Sequence, residues 1–209
     1  MLISFGRAGF WMGCLMVAMV SYRFFLAPLA VVMDHMAHYL TLAPWALYGH
    51  IVLAPLALAL APFQLWQGLR ASQPRLHRAV GYTYALSVLI AGLASLSLLP
   101  HFKGQWHSAL GFGLLAVFWI GATARGVWLA RAGNYTRHRQ WMTRSVALTF
   151  AAVTLRLIMS PLMAMGWSVT ETYQITAWAS WLLTLAFAEL WLRRGVKIQR
   201  APGLATGRP

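Results

Sequence analysis

Acidic residues are almost missing from this chain. Its 209 residues include three, Asp34, Glu171 and Glu189, against 17 lysines and arginines. Charge of either sign is scarce, at 10% of residues, where a soluble domain carries about 25%. One cysteine, Cys14, is present, which excludes an intrachain disulfide and leaves the redox compartment unread. No Walker loop, GxGxxG, GxSxG or CxxC phrase occurs, so soluble nucleotide-binding, hydrolase and thiol-redox readings have no footing.

Apolar residues make up 60% of the chain. Runs of roughly 20 of them recur, enough to cross a hydrocarbon core of about 30 Å. Lipid offers the backbone no hydrogen bonds, so such runs are helices. They lack the apolar–polar alternation of barrel strands. The expected fold is an all-α, polytopic membrane bundle of about six helices, with helices two to five as a four-helix core. The spans are expected near residues 8–32, 45–70, 76–100, 106–131, 137–166 and 172–193, with ends uncertain by about two to four residues. Pro44 and Pro74 stand where a helix start tolerates a missing N–H; Pro100 and Gly133–Asn134 mark turns. The N-terminal run continues through SYRFFLAPLAVVM without a small-x-small cleavage site, so it reads as a span rather than a removed leader. Residues 1–200 form one membrane domain on this reading, and APGLATGRP, residues 201–209, a disordered tail.

A net charge of +14 raises the question of nucleic acid, but the basic residues sit between apolar runs instead of forming a patch. Fourteen of the 17 fall at one set of helix ends, from Arg7 through Arg70, Arg75 and Arg78 to the groups around Arg137 and Arg193, and Lys103 stands nearly alone at the other. The positive-inside rule then puts both termini in the cytoplasm.

Four histidines begin four successive helices: His50, His77, His107 and His138. Because neighbouring helices alternate in direction, His50 and His107 share the outer half, and His77 and His138 the inner half. Helices two and four lie diagonally in a four-helix bundle, as do three and five, so each pair can clamp a flat metal macrocycle. Haem iron takes two axial imidazoles, and bundle interiors host such sites. A porphyrin face needs clearance one turn from its ligand. Ala54, Gly81 and Gly111 provide it beyond the first three histidines, while Met142 breaks the pattern beyond the fourth. The phrases HRAVGY and HSALGF, at His77 and His107, repeat one pattern for the two sides. Histidines and small residues are also tolerated in membrane helices without any ligand.

Arg23 and Arg156 lie within helices one and five. Arg156 is about 27 Å along the helix from His138, level with the outer histidines. Intramembrane arginines are costly and usually paired. Their candidate partners are Asp34, Glu171, a lipid phosphate or haem propionates. A second cluster, MDHMAH at residues 33–38, puts Asp34, His35 and His38 on one face if helical, a spacing that suits zinc or copper. The plainer reading is a polar loop.

The stretch from His50 to Pro161 resembles the bacterial family of predicted membrane proteins called domain of unknown function 2306. The phrases that carry the likeness are QGLRASQPRLHRAVGYTYAL, GFGLLAVFWIGATARG and RHRQWMTRSVALTFAAVTLRL. It implies a multi-pass protein of the bacterial inner membrane and no particular chemistry. The histidine layout, with WHSALGF on helix four, is also similar to the cytochrome b-561 type of membrane protein. That resemblance implies one or two b haems, held by His50 with His107 and by His77 with His138. A membrane electron-transfer protein or oxidoreductase follows as the leading expectation. A quinone or another redox protein is its partner, within a homodimer or a larger complex. The rival is a haem-free small transporter or scaffold subunit.

Overall fold

The computed structural model describes residues 2–200, and the tail expected after Arg200 lies outside the described residues. Six helices are long and apolar enough to cross a membrane. They are α1 (Leu2–Ser21), α2 (Pro44–Leu65), α3 (Pro74–Leu98), α4 (Trp106–Arg131), α5 (Tyr135–Ala164) and α6 (Val169–Arg200). Among the described residues there is no strand. The all-α bundle read from the sequence is the observed fold.

Helix starts and stops follow local chemistry. Pro44 and Pro74 open α2 and α3, where an unpaired backbone donor would otherwise be left. Gly133, at φ +73°, turns the chain between α4 and α5, a conformation that side chains resist. Asn134 then caps α5, its Oδ1 accepting from the Arg137 N–H at 3.1 Å. Ser168 and Glu171 form a reciprocal capping box at the start of α6.

Two spans end earlier than expected. Helix α1 stops at Ser21, not near residue 32, and continues as a 3-10 turn, Tyr22–Phe25. Pro28 cannot continue a helix, and Arg23 curls the segment by donating from Nε to the Val32 carbonyl at 2.8 Å. Helix α2 stops at Leu65, where Trp66 is extended, rather than at residue 70. Pro62 inside its last turn removes a helical donor.

Helices α2 to α5 form a closed ring. Each packs on its chain neighbour, and α5 returns against α2. Helices α2 and α4 are therefore diagonal, as are α3 and α5, as short antiparallel connections require. Helix α1 lies along α2 and α5, and α6 along α5 and α4. The core combines Ala57, Ala61, Ala91, Ala122 and Ala151 with Tyr84, Trp119 and Trp181. Lipid tails are as apolar as leucine, so helices associate through close packing, which small residues permit. Large apolar side chains such as Met19, Leu93 and Phe187 face outward, the normal consequence of an apolar solvent. Two ends can be told apart: the basic end, with the arginine-rich turns, and the far end, with Lys103.

Candidate functional site

Between α1 and α2, residues 22–43 run over the far end of the bundle as short turns and one-turn helices. Three hydrogen bonds pin this cover. Besides the Arg23 bond, Tyr22 Oη donates to the Val52 carbonyl at 2.8 Å. His38 Nε2 lies 3.1 Å from the His101 carbonyl; a carbonyl only accepts, so that nitrogen carries the proton.

Under the cover lies a cavity of about 560 Å³, within the range of roughly 300–1,000 Å³ usual for small-molecule sites. Its walls are apolar in the main, from Ile51, Ala54, Leu148, Leu155 and their neighbours, with Trp119 and Thr149 deeper in. Beside hydroxyl groups such as Thr149, Tyr173 and Ser180, its ionisable side chains include basic ones alone. Arg23, Lys103 and Arg156 line it, with His35, His38 and His50, and no acidic residue does.

The three carboxylates of the chain are committed elsewhere. Glu189 forms a two-pronged salt bridge with Arg144. Glu171 accepts from Ser168. Asp34 is exposed and makes no ion pair among the described residues. Arg156 is satisfied in part by neutral oxygens, donating to the Ala152 carbonyl at 2.9 Å and to Ser21 Oγ at 3.0 Å. A guanidinium has five N–H donors, so Arg23 and Arg156 both keep donors for an anion. A cation held in a membrane without a counter-charge is expensive. The positive charge is felt at His35, on the cover. Burial strips water from its ring and the Arg23 guanidinium repels a proton, so its pKa lies below the usual histidine value.

His50 has one ring nitrogen tied to the backbone of a neighbouring helix. Its Nδ1 lies 3.2 Å from the Ala91 carbonyl on α3, which fixes the proton there and leaves the Nε2 lone pair uncommitted. A ring held this way is the usual arrangement of a metal-bound histidine. On α6, Ser180 Oγ is buried without a hydrogen-bond partner and belongs to the cavity wall.

The basic end is built differently. His138 Nδ1 lies 2.8 Å from the Gly126 carbonyl, so its Nε2 is likewise free. His77 Nδ1 is buried without a hydrogen-bond partner among the described residues. Side chains stand close to the small residues at this end. A Cβ on Gly81 would meet Gln64 Oε1 at 3.2 Å, and one on Gly126 would meet the Met142 sulfur at 2.7 Å.

Of the residues expected to form a site, His50, Ala54, Arg23 and Arg156 share the far-end cavity. His107 is not in its wall. The His107 carbonyl accepts from Trp178 Nε1 at 3.0 Å, and a Cβ on Gly111, one turn on, would come within 2.8 Å of the Ala177 carbonyl oxygen. That face of α4 is turned to α6, a sixth helix that the diagonal argument left out. Asp34, His35 and His38 do not converge either. Among the described residues no three His, Cys, Asp or Glu side chains are placed to hold a metal ion. The segment is a 3-10 turn at Asp34–Met36, so its side chains do not line up as on an α-helix, and His38 is drawn to His101. Tyr173, Thr149, Trp119 and Ser180 also line the cavity and were not read from the sequence. Neutral residues at ordinary helical spacing gave no signal.

No curated protein and no solved structure matches this chain. A family model does, over residues 47–192, which includes His50, His77, His107 and His138. The chain belongs to the family of predicted membrane proteins DUF2306.

Proposed function

We propose that this multi-pass membrane protein is a redox protein that binds one haem b in its far-end cavity. On this reading His50 Nε2 would hold the iron, and Arg23 and Arg156 would pair the propionates. One observation carries it: two membrane-level guanidinium groups without a carboxylate stand in one cavity with an imidazole whose only free nitrogen is a lone-pair donor. An amphipathic dianion with a metal centre meets all of these demands together. The apolar walls suit its rings, and the volume of about 560 Å³ is of the right order for a cofactor of this size.

When bound, haem supplies one-electron chemistry whose potential depends on ligand and surroundings. The chain supplies the rest. The Ala91 carbonyl fixes the His50 tautomer and makes the ring a better donor. Arg23 and Arg156 offset the carboxylates in a medium where either charge alone is costly. The cover at residues 22–43 keeps bulk water from the far end. His107, whose backbone carbonyl accepts from Trp178 on α6, is not among the residues lining the cavity and has no part in this reading.

At the basic end Gln64 stands against Gly81 and Met142 against Gly126, which supports confining the reading to one cofactor at the far end. A lipid-soluble quinone is the electron partner that a bilayer supplies most directly. The concentration of arginines at one end supports an orientation with both termini in the cytoplasm of a bacterial inner membrane.

The test is optical. Protein purified after expression with ample haem precursor is expected to show a reduced-minus-oxidised b-type spectrum, and His50→Ala to abolish it. A colourless wild-type protein would replace this reading with its rival, a haem-free transporter or scaffold.

A further inference from the structure

Hydroxyl groups gain nothing from lying in lipid, yet the core of α2–α5 is threaded with them. Tyr84, fully buried, places its Oη 2.7 Å from Ser145 Oγ and 2.6 Å from Thr149 Oγ1. Thr123 Oγ1 lies 2.6 Å from Ser145 Oγ, and Trp119 Nε1 donates to Thr149 Oγ1 at 2.8 Å. Each of these hydroxyls can accept one hydrogen bond while donating another; here Thr123 and Thr149 donate to the Trp119 and Ser145 carbonyls at 2.7 and 2.9 Å, and they must turn to hand a proton on. Such a chain can pass a proton from oxygen to oxygen, each group gaining one proton and releasing one.

The cluster has two ends. Toward the far end, Thr149 and Trp119 are also part of the cavity wall. Toward the basic end, Gly81 lies three residues before Tyr84, about 4.5 Å of helical rise, and faces the Gln64 amide. Gln64 is only 8% exposed. Its Nε2 has no hydrogen-bond partner among the described residues, and neither does Nδ1 of His77, one turn further down. A buried polar atom without a partner costs about 1–3 kcal/mol. Two in succession along one polar line are natural seats for water.

We infer that the polar column from His77 through Gln64 and Tyr84 to Thr149 is a proton path joining the basic end of the bundle to the far-end cavity. Water bridges its lower part. The proton enters at His77, crosses water beside Gln64, passes Tyr84 and its hydroxyl neighbours, and leaves at Thr149 into the cavity. No charge stays on the column after a passage; only the hydroxyl orientations have turned. The path stands independently of the haem reading, since each of its members belongs to the chain.

The experiment uses the full-length protein in phosphatidylcholine vesicles with a trapped pH-sensitive dye, driven by a potassium diffusion potential with valinomycin. Wild-type vesicles are expected to acidify faster than protein-free ones. Tyr84→Phe and Gln64→Leu should slow proton entry at least about tenfold, the scale on which one positioned proton-transfer group acts. Thr149→Ser should keep the flux and Thr149→Val lose it, at equal protein recovery and unfolding temperature. A purely structural cluster would change the unfolding temperature and leave the flux alone. Wild-type flux equal to that of empty vesicles overturns the path, as does unaltered flux in both Tyr84→Phe and Thr149→Val. Neither result bears on the b-type spectrum, so the two ideas fail separately.

Discussion

At each end of the four-helix ring a histidine gives its Nδ1 proton to a backbone carbonyl one helix away: His50 to Ala91 at the far end, His138 to Gly126 at the basic end. Around His50 the helices splay beneath the cover into a cavity rich in cations. Around His138 they close, because Met142 sits against Gly126 and Gln64 against Gly81. The far-end histidine therefore borders an open cavity, while at the basic end side chains stand close against the small residues. What separates them is volume and counter-charge, not the histidines. The difference teaches that an imidazole spacing marks a site only where the neighbouring helices leave the space unfilled.

The sharpest way to break this contrast is to exchange its histidines. His50→Ala is expected to abolish haem binding, read as loss of the b-type spectrum, while His77→Ala leaves the spectrum in place. Equal loss from both would mean that the ends act alike. Arg156→Gln removes a charged donor worth about 1.5–3 kcal/mol, so haem affinity in a titration of the haem-stripped protein should fall about ten- to a hundredfold. An unchanged affinity would leave the cavity charge without a role.

Smaller effects separate packing from clearance. A methyl at Gly111 would press on the Ala177 backbone at 2.8 Å, whereas one at Gly81 meets the movable end of Gln64 at 3.2 Å. Gly111→Ala should cost about 1–3 kcal/mol in denaturant unfolding and Gly81→Ala less than about 1 kcal/mol. The reverse order would show that Gln64, not the α4–α6 contact, is the rigid one. The weakest effect is in pH. His35 has a folded-state pKa below its usual value, so the unfolded chain binds more protons there. Its contribution is complete above about pH 6.5 and is lost as pH falls through that value. The unfolding temperature should drop on going from pH 8 to pH 5.5, and His35→Gln should flatten that drop. An identical drop in the variant would place the sensitivity elsewhere.

Much of the fold was legible because lipid imposes simple rules. The apolar runs, the prolines at Pro44 and Pro74 and the Gly133–Asn134 turn placed the starts of α2 to α6 to within about three residues. The early ends of α1 and α2 were missed because they follow from the Arg23–Val32 bond and from a proline inside an otherwise apolar run. Of the residues lining the cavity, Arg23, Arg156, His50 and Ala54 stood out in the sequence through rarity: ionisable groups in an apolar run are conspicuous, and Ala54 follows one turn from its histidine. Tyr173, Thr149 and Ser180 were not found, since they differ in no way from ordinary helix residues.

The sequence by itself determined that this chain lives in a membrane, that it crosses as six helices and that its few charges are positive, because burial of backbone and charge in lipid is priced residue by residue. Only the tertiary structure decided which histidine has room beside it. That choice depends on the rotation of α4 toward α6 and on where Gln64 and Met142 come to rest. Such packing is settled among side chains far apart in the chain, and no local spacing encodes it.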